Sequence, residues 1–244
     1  MRKAISIIAV FFMCMNVTAQ QLDTAILDKA KQGDPEMQNN VAIFYAKNGD
    51  ESKAVYWWKL SADNGNVSAA SNLGEFYCRK KDYKESLRWL IPAAEKGNGN
   101  AAFRLALCYR DGLGTDKNIQ ESLKWSLASA NRGNKDAYLL TADIYMRYYG
   151  DKENAKVWYE RAAQANVPDA LNWLGLREVE NGNDDKALNY FMKAANQGYA
   201  KAQYNVGVYY YKNKQYEASK IWLKKAASQG YDQALKLLDK VDKM

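Results

Sequence analysis

The fold of this chain is decided by a segment that recurs along it, and its clearest copy is KALNYFMKAANQG, from Lys186 to Gly198. Alanines in this copy stand at helical spacing around an aromatic residue, Tyr190, and the copy closes on a glycine. Small residues let two helices approach closely, and a closing glycine adopts the left-handed conformation in which many helices end. The segment therefore predicts a helix that packs tightly against its neighbours.

Six related copies follow the same pattern: an Ala or Ser, an aromatic residue three positions later, further small residues, and a closing Gly or Asn. The first two features are found at Ala54 and Trp57, Ser86 and Trp89, Ser122 and Trp125, Ala155 and Trp158, Ala187 and Tyr190, and Ser219 and Trp222. A buried aromatic side chain removes roughly 150–250 Å² from water. We therefore expect this aromatic position to form the core between adjacent helix pairs, whereas Trp58 and Trp173 fall outside it and are freer to be exposed.

A second pattern precedes each copy and is centred on a small residue. That residue stands at positions 42, 74, 106, 142, 175 and 207, in steps of 32, 32, 36, 33 and 32. In most copies a Leu or Val comes directly before it and a Tyr three residues after it. A period in this range is typical of a solenoid, in which each unit buries its apolar face by stacking on its neighbours.

The chain resembles the Sel1-like repeat family, a relative of the tetratricopeptide repeat. The resemblance is carried by the form Lys-Ala-x-x-Tyr-Phe-x-Lys-Ala-Ala-x-x-Gly at 186–198 and by the longer loop YRDGLGTD at 109–116, and it covers about residues 22 to 243. It implies an all-α fold, a right-handed α-solenoid of antiparallel helix pairs, and a scaffold or adaptor role. We call the two members of each pair the first and the second helix.

The first nineteen residues are interpreted as a secretory signal peptide. Arg2-Lys3 gives a basic start, an apolar run follows from Ala4 to Met15, and Val17-Thr18-Ala19 places small residues before a cleavage site. The apolar run is too short to span a membrane. We expect an exported protein, periplasmic or secreted, with no integral membrane segment in the mature chain. A lipid anchor at Cys14 is the alternative, although Phe12-Met13 before it makes a poor lipobox.

The remaining chain divides into a capping half-repeat at 20–33, six repeats at 34–233 and a capping helix at 234–244. Terminal caps with polar outer faces keep a solenoid soluble. One residue conflicts with the helical pattern: Pro92 lies inside the second helix of the second repeat. An interior proline loses a hydrogen bond and costs roughly 3 kcal/mol, so the sequence predicts a kink or an early break there.

Charge and cysteine content exclude few classes of function. The net charge of +7 falls to +5 once residues 1–19 are removed, and the basic residues are spread along the chain, so nucleic acid binding is not expected. Cys78 and Cys108 fall on neighbouring first helices, whose axes should lie about 8–10 Å apart. A disulfide needs Cα atoms within roughly 7 Å, so no bridge is expected.

The residues that carry chemistry are nearly absent, and we expect neither an enzyme nor a cofactor. The sequence has no histidine, no Cys-x-x-Cys and no glycine followed by lysine, which removes the commonest general base, a structural zinc site and a Walker-type phosphate loop. The resemblance keeps one enzymatic alternative open, a hydrolase acting on cell-wall or β-lactam substrates. The acids at Asp184-Asp185 and at Asp111 and Asp116 are interpreted as solvated loop residues, with a weak calcium site as the alternative.

The binding surface is predicted from helical phase. Residues three before, one after and four after the small residue share one face of each first helix, and in tetratricopeptide-like solenoids such helices line the concave groove. The candidate residues are Ile43, Glu75, Phe103, Leu107, Arg110, Leu139, Asp143, Met146, Asn172, Leu176, Tyr204, Val208 and Tyr211, with Asn39, Ser71, Cys78 and Val179 at the remaining equivalent positions.

This face is about half apolar, which suits an extended peptide or a partner helix. The hypothesis is a monomeric scaffold that binds a protein or peptide through its concave face. Two alternatives stay open: some of these residues pack against neighbouring helices instead, or the protein is a structural spacer without a groove ligand.

Overall fold

The structure is a computed structural model that describes residues 22–243. The predicted signal peptide and Cys14 lie outside the described residues. Within residues 22–243 the chain forms fourteen α-helices and one short π-helix, with no β-strand. The predicted fold class, an all-α solenoid of antiparallel helix pairs, is confirmed. The chain divides into two compact units at Asp116, and each is described by itself.

The N-terminal unit, residues 22–116, holds six helices, and each helix packs on the next. Their bounds are α1 Thr24–Lys31, α2 Pro35–Lys47, α3 Glu51–Asp63, α4 Val67–Arg79, α5 Tyr83–Glu95 and α6 Gly99–Asp111. The first helices α4 and α6 also contact each other directly. Asp or Asn side chains cap the N-terminus of every helix in this unit, which satisfies backbone N–H groups that the helix itself leaves free.

The C-terminal unit, residues 117–243, holds eight α-helices and the π-helix. Their bounds are α7 Ile119–Ala130, α8 Lys135–Ile144, the π-helix Tyr145–Tyr149, α9 Lys152–Gln164, α10 Pro168–Glu180, α11 Asp184–Asn196, α12 Ala200–Lys212, α13 Tyr216–Ala227 and α14 Asp232–Asp242. First helices of successive repeats are again in direct contact, α10 with α12 and α12 with α14.

The recurring small residue of the first helix is buried as predicted, and the structure shows why it is small. At Gly74, Gly175 and Gly207 a methyl group would overlap a side chain of the paired second helix, namely Leu90, Phe191 or Leu223. The hydroxyls of Ser86 and Ser219 donate to the carbonyls of Gly74 and Gly207 at 2.7 and 2.8 Å, so a hydrogen bond also joins the two helices of these repeats. The pairs at Gly74 and Gly207 are therefore joined by close approach of the two helices together with a buried hydrogen bond.

The aromatic position does not form the core as a whole, which corrects the sequence-based expectation. Trp57, Trp89, Trp125, Tyr190 and Trp222 are only half-buried, and Trp158 alone is buried. The core position is the next residue along, occupied by Trp58, Leu90, Tyr159, Phe191 and Leu223, each at most 7% exposed. Trp58, expected to be freer, is 4% exposed. Trp173 is half-buried.

The reason is that consecutive side chains on the second helix point in directions about 100° apart. The residue four after the buried Ala or Ser points at the small residue of its own first helix. The aromatic three after it points in a different direction: Trp89, for example, lines one pocket with Ala62 of the preceding repeat and Val67 of its own. Its outer edge stays accessible, so the indole N–H of Trp89 can donate to Glu85 at 3.1 Å.

Pro92 does not end its helix early, so the predicted early break is wrong. Helix α5 runs on through Pro92 to Glu95, and Lys96 still donates to the Pro92 carbonyl at 3.1 Å. Pro92 stands in the last turn on an exposed face. The carbonyl that loses its partner, four residues earlier at the exposed Arg88, can therefore be hydrated.

The fourth repeat contains one extra residue, and the π-helix absorbs it. Lys135 and Lys152 begin its two helices 17 positions apart, whereas Pro168 and Asp184 in the fifth repeat are 16 apart. The chain widens into π-helical hydrogen bonding over Tyr145–Tyr149 before it turns. A π-helix usually takes this form, a single wide turn within or at the end of an α-helix. The 33-residue step at this point of the sequence therefore has a local structural cause.

Candidate partner-binding face

The predicted binding positions lie on the first helices, except Met146, which lies in the π-helix that extends α8. We call their shared surface the first-helix face. The structure separates them into two groups. One group bonds or packs to the next helix and holds the face together. The other group remains available to solvent.

In the N-terminal unit two of the predicted positions are used to join helices. Asn72 on α4 donates to Asn39 on α2 at 3.0 Å. Arg104 on α6 donates to Glu75 on α4 at 2.8 Å and forms a second contact with the same carboxylate. Ser71 is buried. These polar contacts tie each first helix to the one before it.

The other predicted residues of this unit are only partly covered. Ile43, Phe103 and Leu107 are half-buried, and the Arg104 guanidinium lies 6.0 Å from the centre of the Phe103 ring. Arg110 forms a two-point pair with its neighbour Asp111, at 2.8 and 2.7 Å. The N-terminal part of the face is therefore mixed in polarity.

In the C-terminal unit an aromatic cluster replaces the simple polar pair. Tyr159 on α9 donates its hydroxyl hydrogen to Asp143 on α8 at 2.7 Å. The ring of Tyr159 stacks on Trp173 of α10, with ring centres 4.1 Å apart and planes 12° from parallel. Burial, followed by the hydrogen bond to Asp143, raises the pKa of Tyr159. The tyrosine therefore stays protonated and connects the fourth and fifth repeats.

The next two first helices are connected in similar ways. Asn205 on α12 donates to Asn172 on α10 at 2.7 Å, which reproduces the Asn72–Asn39 contact four repeats earlier. Tyr204 packs against Tyr231, with ring centres 5.2 Å apart, and burial raises its pKa. Asn172 is buried and Tyr204 is half-buried, so these two predicted binding residues serve to connect helices.

The predicted binding positions of this unit that do not bond to another helix are apolar. Leu176 and Val179 on α10 are 40% and 36% exposed. Val208 and Tyr211 occupy equivalent positions on α12, Met146 lies in the π-helix that follows α8, and all three are half-buried. We call these five residues the apolar stripe. Leu139 on α8 is also half-buried.

Sequence reasoning missed one position that matters on this face, two residues before the small residue. Asn72, Arg104, Trp173 and Asn205 all stand there and all reach back to the preceding repeat. The signal was present as a recurrence of large or polar residues at that offset. It could not be interpreted without knowing which helix each one faces.

In the described part of the chain, no group of three or more His, Cys, Asp or Glu side chains is placed to hold a metal ion. Asp185, one of the acids considered for calcium, accepts a hydrogen bond from the Tyr209 hydroxyl at 2.8 Å. Among residues 22–243, no helix combines the length and apolarity required to cross a membrane.

Cys78 and Cys108 are free thiols with different surroundings. Cys108 is fully buried, whereas Cys78 is half-buried. A hydrogen bond from the Cys108 thiol lowers the pKa of Cys78 to about 7. The same contact, together with burial, raises the pKa of Cys108. We expect iodoacetamide to alkylate Cys78 with a rate that rises through a pKa near 7, below the value of about 8.5 for a free cysteine.

Peptide mass mapping across a pH series measures this directly. Cys108 should remain unlabelled until the protein is unfolded, and Cys108→Ala should move the Cys78 profile toward that of a free thiol. Equal labelling of both thiols in the native state would contradict the assignment.

The stacked helix pairs and the connected first helices define an all-α repeat protein of the solenoid class. The model of the Sel1 repeat matches residues 35–66, 67–98, 99–134, 135–167, 168–199 and 200–231. The chain therefore belongs to the Sel1 repeat family. Sel1 repeats commonly act as scaffolds for protein interaction.

Two solved structures are similar over most of this chain. A Sel1 repeat protein from Oxalobacter formigenes is 28% identical with a TM-score of 0.78, over 88% of this chain and 68% of that one. A protective antigen of uropathogenic Escherichia coli strains is 28% identical with a TM-score of 0.76, over 88% of this chain and 50% of that one. This chain thus spans half the length of the Escherichia coli antigen.

Two mammalian proteins are similar over a short region. DAP3-binding cell death enhancer 1 is 43% identical in Rattus norvegicus and 41% identical in Mus musculus, in each case over 56 residues. The matched region is 23% of this chain and only 11% of the mammalian proteins.

Proposed function

We propose that this protein is a non-catalytic scaffold that binds another protein or peptide through its first-helix face, with the apolar stripe as the main contact. The stripe carries the proposal. Leu176 and Val179 expose apolar surface on a helix whose neighbouring residues, Asn172 and Trp173, are already used to connect the repeats. The surface beneath a partner is therefore held in place before the partner arrives.

Such preorganisation favours binding because little side-chain entropy is lost on association. An apolar row flanked by polar residues suits a helix or an extended segment. The family supports the same reading, since Sel1 repeats commonly mediate protein interaction. The name of the rat and mouse relatives states that those proteins bind DAP3.

We further propose that the protein acts as a monomer after export, in the periplasm or outside the cell. Arg2-Lys3, the apolar run to Met15 and the small residues Val17 to Ala19 support a cleaved signal peptide. One structural relative is described as a protective antigen, and an antigen of this kind must be reachable by antibodies. N-terminal sequencing of the protein recovered from fractionated cells tests the cleavage, and an intact Met1 in the cytosolic fraction would refute it.

The binding face is tested by photo-crosslinking in envelope extracts. The stripe variant Leu176→Ser with Val208→Ser should lose the crosslinked partner, because both apolar contacts become polar. The matched control is Val157→Ser with Ile221→Ser on the second helices, whose side chains are 44% and 57% exposed. The control should recover the partner as the unsubstituted protein does.

Circular dichroism of both variants confirms that the fold survives. Equal recovery by the stripe variant and the control would rule out the first-helix face as the binding surface. A hydrolytic function would instead appear as turnover of nitrocefin or peptidoglycan fragments above the blank.

A further inference from the structure

The two units of the chain differ sharply in charge. Residues 22–116 hold 13 Lys and Arg against 13 Asp and Glu, whereas residues 117–243 hold 20 against 15. The positive excess of the exported chain therefore belongs to the C-terminal unit. This is also the unit that exposes the apolar stripe.

Basic groups stand beside the stripe on three different elements. Arg147 follows Met146 directly, and its side chain is 73% exposed. Arg177 follows Leu176, and its guanidinium lies 5.2 Å from the centre of the Trp173 ring. Lys240 on α14 lies 5.4 Å from the centre of the Tyr211 ring. Two of these cations are thus sequence neighbours of stripe residues, and the third contacts a stripe residue directly.

The acids on the same helices leave these cations only partly neutralised. Asp143 lies 3.8 Å from Arg147 but already accepts the Tyr159 hydroxyl. Glu180 pairs with Arg177 at 2.5 Å across one turn of the same helix, in a solvent-exposed pair. Such pairs are weak and can exchange for a better partner. Within the described residues Lys240 is held by the Tyr211 ring rather than by a carboxylate.

We propose that the partner segment bound by the stripe is an acidic peptide, in which apolar side chains alternate with Asp or Glu. Its apolar residues cover Leu176, Val179 and Val208, and its carboxylates face Arg147, Arg177 and Lys240. Arginine can bind a carboxylate at two points, and a flanking charge raises both the rate and the selectivity of association. This inference rests on the proposed function and adds the chemistry of the partner.

Fluorescence anisotropy with matched synthetic peptides tests it. One peptide alternates Leu with Glu, a second carries Gln in place of every Glu, and a third carries Lys. The acidic peptide should bind most tightly, and its affinity should fall as salt is added. Arg177→Glu with Lys240→Glu should weaken it roughly tenfold or more.

The matched control is Lys156→Glu with Lys193→Glu on the second helices α9 and α11, which changes the net charge equally. It should keep most of the affinity. If the control weakens binding as much as Arg177→Glu with Lys240→Glu does, only overall charge matters and the site assignment is overturned.

The other outcomes separate this inference from the proposed function. Equal binding of the Glu and Gln peptides that still depends on Leu176 and Val208 overturns the acidic partner while it leaves the stripe as a binding surface. Preference for the Lys peptide, or no binding by any peptide, overturns the inference. Binding to vesicles of phosphatidylglycerol in place of the peptides overturns it in favour of an anionic membrane surface.

Discussion

Replacing Leu90 by alanine is expected to lower the free energy of unfolding by about 2–5 kcal/mol. Leu90 is fully buried on α5 and rests directly against Gly74 of α4. The substitution leaves a cavity between the two helices of one repeat. Urea denaturation followed by circular dichroism measures the loss.

The same junction offers a sharper test through a double substitution. Gly74→Ala by itself should destabilise the protein by about 1–3 kcal/mol, because its methyl group overlaps the Leu90 side chain. In the Leu90→Ala background that methyl group has room, and alanine favours the helix by about 1 kcal/mol relative to glycine. The double variant should therefore be more stable than Leu90→Ala alone.

Leu235→Ala on α14 serves as the control, because this leucine is 51% exposed. It should change the free energy of unfolding by no more than about 0.5 kcal/mol. Strict additivity of the Gly74 and Leu90 substitutions would show that the two residues do not press on each other.

Adjacent tryptophans should respond in opposite ways, which is the second large effect. Trp58→Ala is expected to cost about 3–5 kcal/mol, because Trp58 lies in the core of α3 against Leu73 and Phe76. Trp57→Ala should cost under about 2 kcal/mol, since its ring is half-exposed and already partly hydrated. Thermal and urea denaturation of the two variants measure the difference.

Trp58→Phe provides the internal control. Among the described residues, the Trp58 indole N–H is the buried side-chain group with no hydrogen-bond partner. Phenylalanine keeps most of the ring and removes that unpaired donor, so this variant should lose much less stability than Trp58→Ala. A larger loss for Trp57→Ala than for Trp58→Ala would restore the aromatic position as the core.

The binding positions illustrate how far sequence patterns reach. Helical phase placed Asp143, Asn172 and Leu176 on one face, and the structure does put all three on first helices. Helical phase could not show which of the three residues connects helices and which stays exposed. Asp143 and Asn172 bond to Tyr159 and Asn205 from other helices, whereas Leu176 stays exposed. Their partners lie 16 and 33 residues away, beyond any local pattern.

The fourth repeat shows a related limit. The spacing of 33 residues between its small residue and the next one is visible in the sequence. An inserted residue, however, can be accommodated in a loop, a turn or a helix. In the structure the backbone hydrogen bonds accommodate the extra residue within the helix, as the π-helix at Tyr145–Tyr149. Pro92 is similar, since its cost depends on whether the freed carbonyl meets water.

The sequence by itself determined the six helix pairs, the small residue at each junction and the left-handed closing residues, such as Asn166 at φ 58° and Gly198 at φ 87°. These features follow from local sterics and from a repeating pattern, both of which are contained in neighbouring residues. Only the tertiary structure decided whether Trp57 or Trp58 enters the core and which first-helix residues remain free. Consecutive residues on a helix differ by about 100° in direction, so small differences in how two helices meet select between them.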